Sequence, residues 1–149
     1  METQLLKTTD NWGTTAIRIV LGIVLFSHGA QSMLGWFGGF GLKATIKFLS
    51  SGMGLPTFIG FAVICIQFFG SLMLLTGTLT RIAALGVFGI FLGMATYHFD
   101  YGFHMNWSGT NEGKGYEYHV LVLSMCMMLL ISGGGALSVD LKIMKSNPS

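Results

Sequence analysis

Six side chains that can hold or exchange a proton, or hydrogen-bond a ligand, stand in otherwise apolar sequence: His28, Gln31, Gln67, His98, Glu117 and His119. In a bilayer such groups are expensive unless paired, so each is a candidate functional group. His28 and Gln31 are three residues apart and lie on one side of a helix. Imidazoles titrate near neutral pH, so this set can relay protons. It can also offer nitrogen and oxygen ligands to a metal ion, or hydrogen-bond the carbonyl of a quinone head group. No HExxH-type spacing is present, so no metal is assigned. His28, Glu117 and His119 are the candidate catalytic groups. Gln31, Gln67, His98 and the nearby Trp36 are candidate ligand contacts. His104 reads as an interfacial anchor.

A second set, Arg18, Thr80, Arg81 and Asp140, falls near the opposite ends of the apolar stretches. Near-end charges commonly anchor helices. Arg18 and Arg81 are therefore expected to snorkel toward anionic lipid, with Asp140 paired to one of them. Gln67, with Ser71 one turn on, reads equally as a bridge between helices or as a ligand contact. Cys65 and Cys126 sit in mid-stretch and read as packing thiols rather than a redox pair.

The elements that must carry these groups follow from composition. Of 149 residues, 52% are hydrophobic and 9% charged, whereas a soluble domain carries roughly 25% charged residues. Lipid must be the solvent for most of the exterior. Crossing a hydrocarbon core of about 30 Å takes around 20 apolar residues in a helix. Four stretches qualify: 14–34, 56–78, 81–99 and 116–137. They predict an all-α membrane fold, an antiparallel bundle of four transmembrane helices, as one domain over residues 1–149. The first stretch is too long for the apolar core of a signal peptide and is read as retained. Between the first two spans, Lys43 and Lys47 alternate with Leu42, Ile46 and Leu49, which predicts a short amphipathic helix at the interface. Gly77 to Thr80 is a tight turn that makes its two helices antiparallel neighbours. Gly86, Gly89 and Gly93 predict a small-residue seam for helix packing, as do Gly22 and Gly29. Lys7, Arg81, Lys142 and Lys145 share one side, against Lys43, Lys47 and Lys114 on the other, which favours cytoplasmic termini. No basic run exists to hold nucleic acid.

Three blocks in order along the chain carry a family resemblance: SHGAQSMLGWFGGFGL (Ser27 to Leu42), GSLMLLTGTLTRIAAL (Gly70 to Leu85), and NWSGTNEGKGYEYHVLVL through ISGGGALSVD (Asn106 to Asp140). They resemble the DoxX family. The resemblance implies a four-helix protein of the bacterial cytoplasmic membrane, similar to the small subunit of the archaeal thiosulfate:quinone oxidoreductase. Other family members are linked to redox-stress complexes, and distant relatives act as membrane chaperones. Many members carry glutamate where this chain has Gln67. A proton carrier is therefore missing at that position, while hydrogen bonding to a ligand survives.

The reading that results is a membrane subunit supporting quinone-linked oxidoreduction. The head group would dock among His28, Gln31, Gln67, Glu117 and His119, with Trp36 shaping the mouth. No flavin, haem or iron–sulfur motif occurs, so no cofactor is covalently attached and electrons would come from a partner oxidoreductase subunit. The rival is a non-catalytic assembly factor, chaperone or structural subunit. A small-solute transporter is a third reading. Lipid is a partner in every case, and a second copy of the chain stays open as one.

Overall fold

The computed structural model describes residues 5–110 and 112–146, and among these every regular element is helical. Helix α1 (Trp12–Leu34) begins where the Asn11 side chain accepts a hydrogen bond from the Thr14 N–H at 3.0 Å. It stops at Gly35, in the left-handed region at φ 74°. A 3₁₀ turn (Trp36–Gly38), the short helix α2 (Gly41–Lys47) and a π turn (Phe48–Gly52) lead to α3 (Thr57–Thr76). Pro56 precedes α3, suited by its fixed φ to a helix start. Helix α4 (Thr80–His98), a 3₁₀ turn (Phe99–Tyr101), α5 (Glu117–Ser132) and α6 (Val139–Ser146) complete the chain.

Helix α1 lies along α3, α3 along α4, α4 along α5, and α5 returns to α1, closing a ring whose thinnest contact is the last. Its core is Leu21, Leu25, Leu74, Ala83, Ala84, Val87, Phe91, Val122, Cys126 and Leu129. Both cysteines are free thiols. The exterior is as apolar as the core, with Val20, Ile23, Phe58, Phe69, Leu85, Leu121 and Ile131 all exposed. Within the apolar windows of α1, α3 and the helical run Thr80–Tyr101, only 33%, 28% and 22% of residues are buried. Helices apolar all round belong in lipid, where the backbone must satisfy its own hydrogen bonds.

Those three helical stretches are long and apolar enough to cross a membrane. The fourth expected span is shorter than its sequence suggests. Helix α5 has 16 residues and ends at Ser132, not near Leu137. Its length is about 24 Å at 1.5 Å per residue. Gly133 at φ 76° and Gly135 at φ 80° turn the chain out of the helix. That turn aims the Gly134 and Leu137 carbonyls at Arg18.

The glycine seam on α4 also differs from expectation. A Cβ at Gly86 would meet Ile66, but at Gly89 and Gly93 it would meet nothing within 4 Å, so this face is open. The close approach lies elsewhere. A Cβ at Gly29 would stand 2.8 Å from the Phe68 backbone, so α1 and α3 touch main chain to main chain there.

Candidate functional site

Two polar clusters sit at opposite ends of the ring. One end holds the tight Gly77 turn, and the other holds the two long connections.

At the turn end, Arg18 is fully buried and does not snorkel. Its Nε donates to the Gly134 carbonyl at 2.7 Å, and Nη1 donates to the carbonyls of Leu74 and of Leu75, the latter at 2.9 Å. Nη2 donates to the Leu137 carbonyl at 2.5 Å. The last turn of α3 has carbonyls with no helical partner, and a guanidinium supplies a planar set of donors for them. Asp140 does not pair with an arginine as expected. Its two oxygens accept the N–H groups of Leu79 (2.7 Å) and Thr80 (2.9 Å), capping α4 from a distant part of the chain. That capping holds Leu79 at φ 48°, a backbone region few side chains adopt. Arg81 stays at the surface and donates to the carbonyls of Lys7 (3.2 Å) and Ile131 (2.8 Å). These bonds tie separate segments of the chain together at the turn end of the ring.

At the loop end lies a cavity of about 520 Å³. Helix α1 contributes Val24, Leu25, His28 and Ser32. Helix α3 supplies Gln67, α4 supplies Phe91, Met94 and His98, and α5 supplies Tyr118 and His119. The connection between α4 and α5 closes over it with Met105, Trp107 and Lys114. Four expected residues, His28, Gln67, His98 and His119, therefore line one space.

Three do not. The Gln31 side chain donates to the Phe37 carbonyl at 3.2 Å and faces a separate groove under α2. Trp36 is exposed and packs edge-on against Phe37. Glu117 stands outside the lining, where it accepts the Trp107 indole N–H at 3.2 Å and meets His104 Nδ1 at 3.4 Å. Its link to the cavity is Trp107. Sequence reading missed Trp107, Lys114 and Tyr118 as lining residues. Their only signals were an aromatic and a charge at a span end, and the neighbour of His119.

The two buried-side imidazoles have distinct states. His98 Nδ1 lies 2.8 Å from the Met94 carbonyl, which can only accept, so that nitrogen carries the proton. His119 is 4% exposed, and its Nδ1 is buried with no hydrogen-bond partner among the described residues. A buried polar atom left so costs about 1–3 kcal/mol. The two rings stack at 4.9 Å and 26°, presenting faces to each other rather than nitrogens to a common point. Among the described residues, no three His, Cys, Asp or Glu side chains converge as a metal-binding group. The described lining residues include no carboxylate. It offers hydrogen bonds from imidazole, amide and ammonium groups, between the aromatic faces of Phe91, Trp107 and Tyr118.

An all-helical protein with several lipid-facing helices and a polar cavity at one end is a polytopic membrane protein. Residues 13–100, more than half of the chain, match the DoxX family, and the chain belongs to it. YqjF, an inner membrane protein of Escherichia coli (strain K12), is 28% identical over 135 residues, covering 91% of this chain and 95% of that protein. CatD of Bacillus subtilis (strain 168), whose name places it provisionally among the oxidoreductases, is 33% identical over 70 residues, 47% of each chain. The chain thus spans about half the length of CatD. No solved structure matches.

Proposed function

We propose that this chain is a four-span subunit of the bacterial inner membrane that supports quinone-linked oxidoreduction, with the quinone head group in the loop-end cavity. The observation that carries the reading is the convergence of His28, Gln67, His98 and His119 around one cavity between aromatic faces. Reduction of a quinone to its quinol takes two electrons and two protons. The electrons come from a partner oxidoreductase subunit, and the protons pass through His28 and His119. Gln67 orients a carbonyl, and Glu117 positions Trp107 at the rim. The provisional oxidoreductase name of CatD and the inner-membrane name of YqjF support this reading. In this reading helix α5 is the fourth span, α2 lies at the interface, and both termini are cytoplasmic, the side that the small excess of Lys and Arg favours.

The test is mass spectrometry of quinones co-purifying in mild detergent, comparing wild type with His28→Ala and Gln67→Ala. Stoichiometric quinone in the wild type and at least a tenfold loss in both variants is expected. Only bulk phospholipid in all three samples would overturn the reading. The rival, a non-catalytic assembly or structural subunit, draws on the open Gly89 and Gly93 face of α4, where a partner helix could pack closely. It expects a partner's abundance to fall on deletion, with nothing bound in the cavity.

A further inference from the structure

The cavity has a floor and a rim of different character. Leu25, Phe91 and His119 form the floor and are all nearly inaccessible, at 1%, 4% and 4% exposure. The exposed lining residues are His28, Trp107 and Lys114. His28 lies within α1, about 9 Å from its loop end at 1.5 Å per residue, and Val24, a turn deeper, is half-buried beside it. Trp107 and Lys114 belong to the connection above. The rim therefore runs from inside a membrane-length helix up to the loop. It lies on the side of the thinnest helix pair, α1 and α5, whose chain segments the Arg18 bonds draw together at the opposite end.

We infer that the cavity opens sideways into the lipid between α1 and α5, and that its ligand is a membrane-resident amphiphile whose polar head accepts hydrogen bonds. A mouth bounded below by Val24 and His28 admits a molecule already partitioned into the bilayer. Gln67, Tyr118 and Lys114 can each donate, and no carboxylate stands in the described lining, which suits a head that accepts hydrogen bonds; Lys114, which makes no ion pair among the described residues, stands where that head meets the interface. The inference rests on the cavity being a ligand site and not on quinone chemistry.

Two measurements on the full chain in lipid nanodiscs test it. With Cys65→Ser and Cys126→Ala as background, nitroxide labels are placed by His28→Cys and Val24→Cys, with Ser108→Cys as an aqueous control. Collision with lipid-partitioned oxygen is expected to exceed collision with a water-soluble nickel chelate several-fold at positions 28 and 24, and the reverse at 108. Nickel dominance at both rim positions, as at 108, overturns the sideways mouth. Separately, quenching of Trp107 (with Trp12→Phe and Trp36→Phe) by decylubiquinone and by tailless ubiquinone-0 is compared. At least tenfold tighter binding of the tailed compound is expected, and equal binding overturns the amphiphile. If neither quinone binds while oxygen dominates at the rim, the quinone reading falls and the lipid-facing mouth stands.

Discussion

Arg18 and His119 are both buried, yet their surroundings assign them opposite roles. Arg18 has a backbone carbonyl for each guanidinium nitrogen, while His119 keeps a nitrogen without one. Replacing Arg18 with Met should leave several buried carbonyls unpaired and lower stability by about 3 kcal/mol or more, read as earlier thermal unfolding in detergent. Asp140→Asn keeps one acceptor oxygen and should lose about 1 kcal/mol, in the range of a helix cap; unchanged stability would remove Asp140 from the capping role. The polar residues of the cavity were legible because imidazoles and amides stand out against apolar helices. Gln31 was misplaced for a simple reason. Three residues along a helix turn a side chain about 60° from its partner, enough for its amide to reach Phe37, whose left-handed backbone at φ 53° no sequence pattern announces. Trp107 and Lys114 were invisible as lining because the path of their loop depends on tertiary contacts. Among these are the Phe99–Tyr116 ring stack at 5.3 Å and the Glu117 N–H bond to the Phe103 carbonyl at 2.9 Å.

Helix stops were legible at Gly35 and at the Gly77 turn, whereas the Asn11 cap that starts α1 at Trp12 lay before the expected start of the span at residue 14. The end of α5 was not legible, because Gly133 to Gly135 followed by Ala136 and Leu137 reads as apolar sequence and the reason to turn is a distant arginine. The packing role expected of Gly22, Gly29 and Gly86 holds, while Gly89 and Gly93 face no neighbour, since spacing cannot tell a face that meets a helix from one that meets lipid. Two substitutions separate the cases. Gly29→Ala drives a methyl into the Phe68 main chain and should destabilise by about 1–3 kcal/mol, as overpacking does. It should also disturb ligand retention, since Gln67 adjoins that contact. Gly89→Ala meets nothing within 4 Å and should be neutral or stabilising by up to about 1 kcal/mol through helix propensity. A marked loss at Gly89 in the isolated protein would mean that a second chain packs there.

For the whole molecule, the ring is stapled at its turn end and loose at its loop end. Hydrogen bonds donated by Arg18 and Thr9 and accepted by Asp140 and Thr8 cross between chain segments at the first. At the second, cavity and surface loops replace them. Hydrogen–deuterium exchange should show amides of residues 77–84 and 133–141 protected at least tenfold longer than those of 102–110. Uniform exchange along the molecule would contradict this gradient, which also suits a binding site drawn from the less stable end of a fold.

The reach of Arg18 has a consequence for how the protein is made. Its partners Gly134 and Leu137 lie 116 and 119 residues further along the chain. A ribosome delivers α1 to the membrane long before those carbonyls exist, and a charge within a helix opposes insertion, by up to about 2.5–3.5 kcal/mol at the centre and by less toward an end, where Arg18 stands. Leu74 and Leu75 meet part of the guanidinium's demand for acceptors once α3 is made, and the rest waits for the C-terminal segment. Chains ending at Ser132 lack the Gly134 and Leu137 carbonyls and are expected to unfold at a lower temperature in detergent than the full chain.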